Sequence, residues 1–150
     1  MINTNELIDA RMPDKISDCI MIALEDLAKV EKDKRYKVDM NFFHAVSHEG
    51  NCSVCFAGAC MAAEVNDPSA TLGTHRFNRH DAIRFQALDA IRQHDWDMMF
   101  HRLGAWFESW DARIALDEHF PDYRPQYAED KAGFKQNMET VAAILAEHGF

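Results

Sequence analysis

Long apolar runs are missing from this chain: no segment approaches the roughly 20 consecutive apolar residues that a membrane-spanning helix needs. A basic excess is missing as well. Lys and Arg number 16 against 25 Asp and Glu, a formal net charge of -9, which favours solubility and excludes a generic binder of nucleic-acid phosphates. The P-loop, the Gly-rich dinucleotide turn, the G-x-S-x-G elbow and the H-E-x-x-H helix are all absent, which lowers the case for a familiar enzyme class. No internal repeat, low-complexity tract or shift of composition marks a domain boundary. The opening MINTNELIDARM lacks a basic-then-apolar signal pattern, so the expected location is the cytoplasm. There Cys19, Cys52, Cys55 and Cys60 stay reduced, and a disulfide framework is not expected.

What is present is helical periodicity across 150 residues that are 47% hydrophobic, enough for a single domain, 1–150, with its own core. After Pro13, the residues Ile16, Ile20, Ala23, Leu24, Leu27 and Val30 recur at three- and four-residue spacing. Asp18, Glu25, Asp26, Lys29 and Lys32 take the other face, which predicts an amphipathic helix. Tyr36, Val38 and Met40 then alternate with Lys37 and Asp39, a short strand signal that allows a minor two-stranded element near 36–40.

Asn51 is placed to cap a helix over 52–65 whose first turn holds Cys52 and Cys55. That helix is apolar or small on every face apart from Glu64, so it is expected to be the central element. Gly58 and Ala59 let neighbours come close to its backbone. Asn78 caps a further helix with Ala82, Ile83, Ala87, Ala90 and Ile91 inward and Arg79, Arg84 and Arg92 outward. Asp95 caps another, where Trp96, Met99, Leu103, Trp106, Trp110 and Ile114 form one stripe and a major part of the core, packed on the central helix. The last helix carries Phe134, Met138, Val141 and Leu145, with Gly149 as its stop. The expected fold is all-α: about five helices around one core, with the apolar helix at 52–65 in the middle.

Chemistry concentrates in HAVSHEGNCSVC. His44, His48, Cys52 and Cys55 follow an H-x3-H-x3-C-x2-C order, a set of nitrogen and sulfur donors of the kind tetrahedral zinc prefers. A second reading is a reactive Cys52 thiol, its thiolate favoured by a helix start and His48 acting as base. The plainest reading is packing of small cysteines that behave as apolar residues, with no cofactor. Farther on, THRFNRHDAIR gathers Arg76, Arg79 and His80 at a predicted helix start, a pattern suited to a small phosphorylated ligand or to a solvated face pairing with carboxylates. From 95 to 130, nine carboxylates face three arginines, Arg102, Arg113 and Arg124, which makes this stretch a candidate surface for a basic protein.

The segment NCSVCFAGACMAAEV resembles a C-x-V-C-x-A-G-A-x-M-A segment of small, functionally uncharacterised proteins encoded by tailed bacteriophages and prophages. Cys52, Val54, Cys55, Ala57, Gly58, Ala59, Met61 and Ala62 are the matching positions. DMNFFH at 39–44 and ALDAIR at 87–92 fit more loosely, and Cys60 departs from an aliphatic position. The resemblance implies a phage origin and supplies no activity. The expected function is that of a small acidic accessory protein of phage type, in the host cytoplasm. It binds a host or defence protein with a basic surface and has no catalysis of its own. The alternatives are a metal- or thiol-dependent enzyme or zinc-binding protein using His44, His48, Cys52 and Cys55, and a binder of a small phosphorylated ligand through Arg76, Arg79 and His80.

Overall fold

Ile16, Cys19, Ile20, Ala23, Leu24, Leu27 and Val30 share one face of the first helix, α1 (Ile16–Lys32), and that face is buried. The fold is seen in a computed structural model that describes residues 12–46, 51–69, 73–120 and 124–150. Past α1 the chain makes three short strands, β1 (Tyr36–Val38), β2 (His44–Val46) and β3 (Cys52–Val54). They form one sheet with β3 in the middle, parallel to β1 and antiparallel to β2. The expected minor element near 36–40 is therefore a three-stranded sheet, and two of its strands come from the histidine and cysteine segment.

This sheet corrects the start of the central helix. Cys52, Ser53 and Val54 alternate buried, half-buried and buried while pairing with strands on both sides, so period two overrides the helical reading there. The helix itself, α2 (Phe56–Val65), begins four residues later than expected. Its cap is Cys55 rather than Asn51: the Cys55 Sγ accepts the Gly58 N–H at 3.4 Å. Phe56 to Ala62 are all buried, and the helix ends at Asn66 in the left-handed conformation (φ 50°). Gly58 allows the sheet to touch α2, because a Cβ there would stand 1.7 Å from the Phe43 carbonyl oxygen.

Four more helices complete the core: α3 (Arg79–Arg92), α4 (Trp96–Arg102), α5 (Trp110–His119) and α6 (Lys131–Glu147). Asn78, Asp95 and Asp130 each accept a backbone N–H from their helix's first turn. α2 packs chiefly on α1 and α3, α1 also carries α6, and α4 rests on α3 rather than on α2. The result is a helical fold of six α-helices among the described residues with a small sheet at one side, against about five helices expected.

The extra helix arises at Gly104. Its backbone is left-handed (φ 68°), which an L side chain rarely adopts, and its N–H bonds to the His101 carbonyl at 3.1 Å, closing α4. A turn over 106–109 follows, pinned by the buried Ser109 hydroxyl, which donates to the Trp106 carbonyl at 2.8 Å. The single stripe expected from Trp96 to Ile114 is therefore split. Trp96, Met99 and Phe100 are buried, whereas Trp106, Phe107, Trp110 and Ile114 are exposed.

Candidate functional site

The register of β2 on β3 places His44 opposite Val54 and Val46 opposite Cys52, so all four side chains share one face of the sheet. His44 and Cys52 are buried and diagonal neighbours, and the Cys52 Sγ lies 3.4 Å from each ring nitrogen of His44. Cys55 is used differently, because its sulfur caps α2. Among the described residues no three His, Cys, Asp or Glu side chains gather closely enough to hold a metal ion, and His48 lies outside the described residues. Cys52 is also not in the first turn of a helix, so the helix-dipole argument for its thiolate does not apply.

Burial acts on every thiol in one direction. It pushes Cys52 up to about 11 and Cys19 up to about 12, and it also raises Cys55 and Cys60. All four are buried free thiols, protonated at neutral pH, and a protonated thiol is a poor nucleophile. Cys60 and Cys19 belong to the interior where α2 meets α1, and the Cys19 thiol donates to the Pro13 carbonyl at 3.2 Å. Cys19 and Cys60 are core residues, and Cys55 caps α2 as well.

The basic cluster is also rearranged. Arg79 and His80 are exposed, Arg76 is half-buried, and the Asn78 side chain already accepts the Asp81 N–H at the start of α3. The deepest cation of the group is Arg84, which the periodicity assigns to the outer face but which is only 6% exposed. It lies on a buried stripe with Asp81, Leu88 and Ile91, at three- and four-residue spacing. Its Nη2 donates to the Asp14 carbonyl at 3.1 Å and its Nη1 to the His80 carbonyl at 3.3 Å, tying α3 to the segment that enters α1.

The third group is the turn after α4 together with the outer face of α5. Phe107 is 88% exposed, Trp110 64%, Trp106 44% and Ile114 40%. The four form one patch: the Trp106 and Phe107 rings meet edge to face at 5.3 Å, and Ile114 follows Trp110 by one turn. The Arg113 guanidinium lies 5.0 Å from the Trp106 ring centre and 5.9 Å from that of Trp110. Asp97 on α4 pairs with Arg113, so the two helices hold the rings in place from both sides. Glu108, Asp111, Asp117 and Glu118 are exposed on the same stretch of chain.

No protein-family model, no curated protein and no solved structure matches this chain. Function is therefore read from these three groups alone. The first is an interior, the second is a tether, and the third presents large apolar side chains to solvent. No helix of the described residues is long and apolar enough to cross a membrane.

Proposed function

We propose that this protein acts by binding another protein through the face formed by the 106–109 turn and α5. The observation that carries this reading is the exposed patch of Trp106, Phe107, Trp110 and Ile114 in an acidic stretch. Large aromatic side chains left in water are costly, and Trp is the side chain most enriched where binding energy concentrates. The flanking carboxylates define the partner's chemistry: an apolar pocket with a basic rim, drawn in by charge. A second copy of this chain suits the face poorly, because a molecule of net charge -9 would bring like charges together. The resemblance of the 52–62 segment to phage proteins supplies the setting, an accessory protein of a phage that engages a host or defence protein inside the host cell.

The test is to capture partners from host lysate with the wild-type chain, purify any stoichiometric one, and measure its affinity for wild type and for Phe107→Ser with Trp110→Ser. The expected result is a loss of about 2–4 kcal/mol in binding, roughly 30- to 1,000-fold, and weakening with added salt. A partner whose affinity ignores the double substitution, or a stable homodimer across this face, overturns the proposal.

A further inference from the structure

We propose a second site, independent of the aromatic face: a cavity that binds a small organic anion, with Arg84 as its anchor. The cavity, of about 250 Å³, lies where the start of α1, the first turns of α3 and the chain after α4 meet. Ile16, Ile83, Leu103, Ala105 and Phe150 give it an apolar wall, and Arg84, His80 and Lys15 give it cationic or polar corners.

Arg84 is the anomaly that points to a ligand. A buried charge is stable when it is paired and its donors are used. Two of the partners of Arg84 are neutral backbone carbonyls, on His80 and Asp14, which supply no counter-charge. Asp81, three residues earlier and also buried, accepts the Met12 N–H at 3.3 Å. Among the described residues the only ion pair of Arg84 is with the Asp14 carboxylate, at a stretched 3.5 Å, and that side chain is 97% exposed. Among the described residues the Arg84 Nε is buried with no hydrogen-bond partner.

The pattern of used and unused donors has a shape. Nε and Nη2 lie along one edge of the guanidinium, the fork that holds both oxygens of a carboxylate or phosphate through parallel bonds. In Arg84 that fork has one empty tine, and the other makes its charged contact only with a loosely placed Asp14. Asp14 acts as a placeholder: it bridges Arg84 and, at 3.7 Å, the Nε2 of His80, and it can swing into solvent without uncovering any core. An incoming oxyanion takes Nη2 in place of Asp14 and gains the enclosed Nε as the guanidinium turns toward the cavity, while the apolar wall receives a compact hydrocarbon body. The ligand class is a short amphiphilic anion, with a carboxylate or a phosphate monoester as its head.

The experiment is calorimetric titration of the full chain with butyrate and, separately, with inorganic phosphate, at ionic strength held constant with sodium chloride. At least one anion is expected to saturate a single site. Asp14→Asn, which removes the competing carboxylate, should tighten binding about threefold or more. Arg84→Lys, which keeps the charge and loses the fork, should weaken it about tenfold or more. Saturation by butyrate alone assigns a carboxylate ligand, and by phosphate alone a phosphorylated one. If Arg84→Lys does not fold, Asp14→Asn decides by itself, since its side chain is almost wholly in solvent. Absence of saturable binding by either anion, or binding that Asp14→Asn leaves unchanged or weakens, overturns the proposal.

Discussion

Helices α2 and α5 are each ten residues long, and they are opposites in what they bury. α2 opens on a Phe followed by small residues and a Met up to Ala62, and these seven residues are buried. α5 opens on a Trp, and only Ala112 and Leu116 are buried. Side-chain size thus runs opposite to depth. A helix in the middle of a domain is touched on every side, so small residues that let neighbouring backbones approach are what its position demands. A helix at the edge needs one narrow stripe, and its other faces are free to carry side chains for something else. Large aromatics are evidence of a core only when the chain folds over them.

Three substitutions probe this contrast. Gly58→Ala places a Cβ 1.7 Å from the Phe43 carbonyl oxygen, where backbone rather than a pliable side chain must move. It should cost about 3 kcal/mol or more, read as a lower midpoint in urea unfolding. A wild-type midpoint would mean that the sheet does not press on α2, and half of the comparison would fail. Ala59→Leu adds bulk at a fully buried position, so a loss of about 1–3 kcal/mol is expected from the same measurement. Phe107→Ser with Trp110→Ser should change stability by no more than about 0.5 kcal/mol in thermal melts, because neither ring is covered in the folded chain. A loss as large as that of Ala59→Leu would show that something covers the α5 face, removing both the contrast and the case for a docking surface.

Much of the helical architecture is legible in the sequence because its signals are local. The α1 stripe, the caps at Asn78 and Asp95 and the stop at Gly149 (φ 86°) each involve residues within one or two turns of one another. Gly104 belongs with them. It is the one residue after Trp96 in its stripe that can end a helix without strain, and weighing it above the tryptophan spacing separates α4 from α5. The candidate sites are less legible. The H-x3-H-x3-C-x2-C order contains a true neighbour pair, His44 and Cys52, but for a different reason than metal spacing: they are diagonal residues on paired strands.

Neighbours along the chain already set the caps of α3 and α4, the stop of α6, the apolar character of α2 on all sides and the acidity of the 95–130 stretch. Only the tertiary structure decided that Cys52 to Val54 is a strand, because its two hydrogen-bonding partners come from β1 and β2 and a strand is completed by what lies beside it. It alone decided that Arg84 is inside, since its carbonyl partner on Asp14 is 70 residues away in the chain, and that Trp110 is outside, since among the described residues no distant element covers that face of α5. Periodicity says that a face is apolar or charged; whether that face is covered depends on elements far away in the chain, and burial is settled there.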